Sequence, residues 1–179
     1  LSGNYIYTIT DASNCTYTNL VIISEPNALA INPLTVNVNC KGENNGFIIL
    51  NTSGGTFPYT EDFGTANPIA LTVGNYPFTI TDNNGCTYSN SISITEPDAL
   101  LVTASSTNAT CGGYFDGTAT LVTTGGTPTY ISNWGLSNPN GLNAGTHNYI
   151  VTDTNNCFTQ GSVTITEPLA MQIIVDTFR

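Results

Sequence analysis

The sequence predicts an all-β chain of tandem sandwich modules with a 71-residue period, each closed by one disulfide. Three observations carry this reading. The sequence matches itself at a fixed step, as from Pro26 to Pro97 to Pro168. Short apolar runs, partly alternating with polar residues, are cut by Asn, Gly and Pro. Cysteines recur in pairs at constant spacing.

The repeat is read most directly. Ser24-Glu25-Pro26 returns as Thr95-Glu96-Pro97 and again as Thr166-Glu167-Pro168, at equal steps. Asp11, Asp82 and Asp153 keep that step, as do Gly3, Gly74 and Gly145. Residues 27–97 and 98–168 align without a gap and share 26 identities. Residues 1–26 read as the last part of an earlier repeat, and 169–179 as the first strand of a later one. The chain therefore reads as a segment of a longer array, with any export signal upstream.

Within 27–97 the elements follow in order. Ala30 to Val38 partly alternates and reads as a first strand, with Pro33 marking it as an edge. Cys40 to Gly46 is a turn ending in Asn45-Gly46. Phe47 to Leu50 is a second strand, stopped by Gly54-Gly55. A short strand around Tyr59 to Phe63 precedes a loop at Asn67-Pro68 and an apolar piece at Ile69 to Leu71. Gly74 to Thr81 is a strand. Asp82 to Gly85 is a tight turn, because Asn and Gly tolerate positive φ. Thr87 to Ile94 closes the module with Ile92 and Ile94 inward. No segment has a convincing helical period. Several short strands between turn signals indicate an immunoglobulin-like sandwich.

A domain of about 70 residues is marginal without a staple. Each full repeat holds two cysteines at a constant 46-residue spacing, Cys40 with Cys86 and Cys111 with Cys157. Four cysteines allow three pairings, and spacing alone decides none. If strands alternate up and down, both cysteines of a repeat come to one end. Two full strands separate Cys15 from Cys40; one strand of eight residues spans ~26 Å, and a disulfide needs Cα atoms within ~7 Å. The expected bonds are therefore Cys40–Cys86 and Cys111–Cys157, with the partner of Cys15 outside the chain. Each would add about 4 kcal/mol in the chain-entropy model and implies an oxidising compartment. No Cys-x-x-Cys pair or Cys/His cluster points to zinc.

Twelve acids oppose two bases, for a net charge of −10. This balance argues against nucleic acid and anionic membrane surfaces as partners, since both need clustered Lys and Arg. No apolar run is long enough to insert in a bilayer.

The assembled motif is Cys-x-Gly-x-x-(Asp/Asn)-Gly, Gly-Gly-Thr, Tyr…Phe/Trp, Gly-x-Tyr-x-aromatic, Thr-Asp-x-x-x-Cys and Ile-Thr-Glu-Pro. Cys111, Gly113, Asp116, Gly117, Gly125, Gly126, Tyr130, Trp134, Gly145, Tyr149, Thr152, Asp153, Cys157, Thr166, Glu167 and Pro168 carry it. It resembles the SprB repeat of very large Bacteroidetes cell-surface adhesins. The departures are His147 at a Tyr position, Asn156 for Gly85, and Phe63 where the usual residue is Trp. The resemblance implies export by type IX secretion, display at the outer membrane, and a role in adhesion and gliding motility.

Candidate sites are few, and none is catalytic. His147, the only histidine, stands where Tyr5 and Tyr76 stand and reads as a surface or rim aromatic. Asp82 and Asp153 read as turn-capping residues. Their alternative is calcium, with Asn84 and the junction carboxylates Glu96 and Glu167, because hard cations take oxygen ligands. Otherwise no cofactor is expected. Tyr59, Tyr130 and Trp134, with Phe63, read as core aromatics or as a sugar platform. The expected partners are neighbouring repeats, surface polysaccharide or other surface proteins. The leading function is a stalk. Its alternatives are a saccharide-binding array, an accessory tail of a secreted hydrolase, and a filament subunit. The short Glu-Pro connections predict a semi-rigid rod, with Ala28-Leu29 and Ala99-Leu100 packed on the preceding module.

Overall fold

A computed structural model describes residues 1–173. Of the strand expected over 169–179, residues 174–179 lie outside the described residues, and 169–173 are not in strand. Regular structure among the described residues is entirely β, in the order β1 (Gly3–Thr10), β2 (Thr16–Ile23), β3 (Ala30–Ile31), β4 (Leu34–Val36), β5 (Phe47–Ile49), β6 (Thr52–Ser53) and β7 (Thr60–Asp62). There follow β8 (Gly74–Thr81), β9 (Thr87–Ile94), β10 (Leu101–Thr107), β11 (Thr118–Thr124), β12 (Ile131–Asn133), β13 (Gly145–Thr152) and β14 (Phe158–Ile165).

The second full repeat shows the sandwich most plainly. One sheet has the order β12-β13-β14, the other pairs β10 with β11, and all pairs are antiparallel. Alternation selects the inner faces: His147, Tyr149 and Val151 of β13 are buried, and so are Val163 and Ile165 of β14. With Ala109, Ala119 and Leu142, these apolar residues form a core on which Val102, Ala104, Leu121, Tyr130 and Trp134 pack.

The first full repeat uses the same registers with one interruption. Ala30 opposes Ser53 just as their equivalents in the next repeat, Leu101 and Thr124, oppose each other. The single first strand expected over 30–38 is instead split into β3 and β4 around Asn32-Pro33. Pro33 brings no N–H to the ladder, whereas Ala104 occupies that position in the unbroken β10. The order β7-β8-β9 matches β12-β13-β14.

The chain forms two compact units, and these do not follow the repeat boundaries. The first comprises Leu1–Thr35, Ile48–Pro68 and Asn75–Ser93. It buries Ile48, Leu50, Phe63, Phe78 and Ile80. Phe78 lies 5.9 Å from Phe63 and 6.3 Å from Tyr88, ring centre to ring centre. The second comprises Val36–Phe47, Ile69–Gly74 and Ile94–Arg179, so the loop of Cys40 belongs with the 98–168 repeat.

Candidate functional site at the repeat junction

Each repeat ends in a hairpin whose turn is built by one aspartate. Asp153 Oδ1 accepts from the N–H of Asn155 and of Cys157, both at 2.9 Å, and Oδ2 accepts from Thr127 N–H at 2.8 Å. Asp82 repeats this with Asn84 (2.9 Å), Cys86 (2.8 Å) and Thr56 (2.8 Å). Asp11 holds Ser13 and Cys15 in the same way. The residue before each cysteine is left-handed, with φ of 64° at Asn14, 81° at Gly85 and 66° at Asn156, which is why Asn or Gly stands there. Burial raises the Asp82 carboxyl, but the N–H groups of Cys86, Thr56 and Asn84 outweigh it and hold it below the ordinary carboxylate range.

The Gly-Gly-Thr loop lies against this turn and against the start of the repeat. Gly125 has φ 70°, and a Cβ there would sit 1.9 Å from the Ala99 carbonyl oxygen. A Cβ on Gly126 would meet Asp153 Oδ2 at 2.7 Å and Leu100 Cδ1 at 3.0 Å. Leu100 thus packs on a loop of its own repeat, as Leu29 does on Gly55. Tyr130 donates its hydroxyl to Gly125 O at 2.6 Å, and Tyr59 to Gly54 O at 2.7 Å.

The Glu of the Glu-Pro junction clamps the cysteine loop of its own repeat. Glu96 Oε2 accepts from Gly42 N–H at 2.7 Å and Oε1 pairs with Lys41 Nζ at 2.9 Å. Lys41 and then the Gly42 N–H hold the Glu96 carboxyl below its usual range. Glu167 takes Gly113 N–H at 2.7 Å. Asp116 closes the second loop through the hydroxyl and N–H of Thr110, and these two hydrogen bonds lower its pKa.

The disulfide differs from the expected pairing. Cys40 bonds Cys157, 117 residues on in the next repeat, with Cα atoms 5.6 Å apart, while Cys15, Cys86 and Cys111 are free thiols on the surface. Neither Cys40–Cys86 nor Cys111–Cys157 forms. The reason is strand direction. The Cys111 loop is held at the C-terminal end of β14, by Ala109 N–H to Thr166 O at 3.0 Å and by Gly113 to Glu167. Cys157 precedes the first residue of that strand, eight residues or ~26 Å away. The same contacts, Val38 N–H to Thr95 O and Gly42 to Glu96, hold the Cys40 loop beyond the end of β9, which Cys86 precedes. Cys157 is reached instead by the loop of the earlier repeat, and Asn155 Nδ2 donates to Asn39 O at 3.1 Å beside the bond.

His147 is buried rather than on the rim. Asn143 O, an acceptor only, lies 2.9 Å from Nε2, so that nitrogen carries the proton and Nδ1 accepts from Ser137 Oγ at 3.0 Å. The Ser–His contact was not legible in sequence, because a loop brings Ser137 back to β13. Both ring nitrogens are engaged, and no carboxylate contacts the ring among the described residues. Trp134 packs on Tyr149 with ring centres 5.2 Å apart, and with His147 and Asn148 it lines an open groove of about 380 Å³.

The calcium candidates do not converge. Asp82 and Asp153 engage both carboxylate oxygens with turn N–H groups, and Asn84 Nδ2 donates to Thr56 Oγ1. Glu96 and Glu167 face their cysteine loops. No cluster of three or more His, Cys, Asp or Glu suited to a metal occurs among the described residues.

A protein-family model described as SprB repeat matches residues 34–60 and 103–131. The chain thus matches the SprB repeat at two places. Each matched stretch runs through the cysteine loop and the Gly-Gly-Thr loop to the following Tyr, so the two matches fall on equivalent parts of the two full repeats. The SprB repeat is a structural repeat found in cell-surface proteins, and the two matches point to a cell-surface, adhesin-like repeat region. No curated protein matches the chain.

Proposed function

We propose that the chain is a stalk segment of a large secreted adhesin, with 27–97 and 98–168 as its structural repeats. It carries no catalytic activity and serves surface adhesion and gliding motility. The carrying observation is the Cys40–Cys157 bond. A staple from one SprB repeat to the next, inside one compact unit, suits a chain that transmits load between modules. Type IX export and attachment at the outer membrane complete this reading. Neighbouring repeats are the first partners, and surface polysaccharide or other surface proteins the distal ones. Antibody against residues 27–168 should label intact producing cells, and deleting these residues should weaken adhesion. Labelling only after permeabilisation, or unchanged adhesion, overturns it.

The groove at Trp134 favours a second reading, a saccharide-binding array. Trp134, half-buried over the core residue Tyr149, offers aromatic surface beside the polar groups of Asn133 and Asn148. A glycan array separates the two: retained binding that Trp134→Ala abolishes supports the array, and absence of binding supports the stalk.

A further inference from the structure

The Cys40–Cys157 bond has an unfilled counterpart one repeat earlier. Around Cys157, Cys40 and Lys41 form one wall of a groove whose other walls include Ala99, Leu100 and Asn156. A shift by one repeat maps Ala99, Leu100 and Cys157 onto Ala28, Leu29 and Cys86. These three line a cavity of about 220 Å³ together with Glu25, Gly55 and Asp82. The Cys86 thiol is free and exposed. The hairpin carrying it is built by the same three hydrogen bonds as the hairpin of Cys157. Glu25 stands where Glu96 takes the N–H of the glycine two residues after Cys40.

A third position repeats the pattern from the other side. The Cys111 loop lies against Ala170, the equivalent of Ala99, and a Cβ on Gly112 would come 3.1 Å from Ala170 Cα. The loop with the free Cys111 is thus already seated at the start of the next repeat, as the Cys40 loop is at Ala99 and Leu100.

We propose that the groove at Cys86 is a docking site for the Cys-x-Gly loop of a preceding SprB repeat, closed by a disulfide. The Cys40–Cys157 bond is then one rung of a ladder in which each repeat staples its successor. Glu25 supplies the acceptor for the incoming glycine N–H. Ala28 and Leu29 form the apolar floor, and Asn84, at the place of Asn155, faces the carbonyl before the incoming cysteine. The covalent step is oxidation of two thiols. The Cys86 thiolate attacks a small-molecule disulfide such as oxidised glutathione, releasing one thiolate. The incoming cysteine thiolate then displaces the second glutathione, so two electrons pass to glutathione and two protons to solvent. This inference rests on the repeated geometry and does not need the adhesin reading.

The test extends the full chain. A copy of residues 27–71 placed directly before Leu1 completes the first repeat and sets the copied cysteine 117 residues ahead of Cys86, the separation of the observed bond. After refolding in glutathione buffer, non-reducing peptide mapping should find the added cysteine joined to Cys86 and Cys15 free. The Cys40–Cys157 bond reports folding in the same molecule. A link to Cys15, or a free added cysteine beside an intact Cys40–Cys157 bond, overturns the proposal. A second measurement needs no extension: a peptide of residues 37–46, oxidised with the unaltered chain, should capture Cys86 at least tenfold over Cys15. Cys15 sits in the same kind of turn without the groove of Ala28 and Leu29, so equal capture of the two also overturns the proposal.

Discussion

At the residue scale, carboxylates hold the turns and loops in place. Asp82, Glu96 and Asp116 all have folded pKa values below their ordinary ones. A depressed carboxyl contributes stability that is present above its unfolded pKa and lost as pH falls through the folded value. Melting temperature should therefore hold from neutrality to about pH 5 and fall below about pH 4. Asp82→Asn should melt lower at neutral pH and show a smaller acid drop; an unchanged acid profile contradicts the role given to the turn. Because these oxygens already accept N–H groups, adding calcium or a chelator should leave the melting temperature within about 1 °C, and a shift of several degrees revives a calcium site. Gly125 is the other sensitive residue. Its left-handed φ and the 1.9 Å approach of the Ala99 carbonyl leave no space for a methyl group. Gly125→Ala should cost about 2 kcal/mol or more in denaturant midpoint analysis of the second unit.

At the element scale, alternation decides what each strand position is worth. Ile165 is 2% exposed and Ile150 is 41% exposed, although both lie in the same three-stranded sheet. Ile165→Ala should cost about 2–5 kcal/mol, and Ile150→Ala less than about 1 kcal/mol. Urea titration of the two variants checks this, and equal losses contradict the sandwich orientation. The strands were mostly legible in sequence. The expected Gly74 to Thr81 and Thr87 to Ile94 are β8 and β9. The first strand was legible only as a continuous run, because Pro33 marked an edge without showing that the ladder divides around it. His147 misled because Tyr5 and Tyr76 occupy its place. The hydrogen bonds from Ser137 and to Asn143 that permit its burial come from a loop with no sequence signature.

At the scale of the whole molecule, the disulfide encloses a long stretch of chain. A closed loop of 117 residues is worth about 4–5 kcal/mol in the chain-entropy model. Cys40→Ser should lower the stability of the second unit by up to that amount, and Cys111→Ser, which breaks no bond, should not. Pulling on the oxidised chain from its ends should hide the enclosed residues. Reduction should then add about 400 Å of contour length, from ~3.5 Å for each of the 117 residues. An increment of about 160 Å instead indicates a 46-residue loop, hence bonding within a repeat.

The sequence alone determined the period, the all-β class and the turn chemistry. Each of these follows from local order: a 71-residue step, alternation along a strand, and Asn or Gly at a left-handed turn. It also carried the SprB resemblance, because that motif is a linear pattern. Only the tertiary structure decided which cysteines meet. A constant 46-residue spacing says that Cys40 and Cys86 belong to one repeat, not that they share an end of it. The eight-residue strand β9 separates them, and β14 separates Cys111 from Cys157. The loop of Cys40 lies instead beside the hairpin of Cys157 in the next repeat, where Asn155 also meets Asn39. Spacing along a chain is a distance in one dimension, and a disulfide depends on proximity in three.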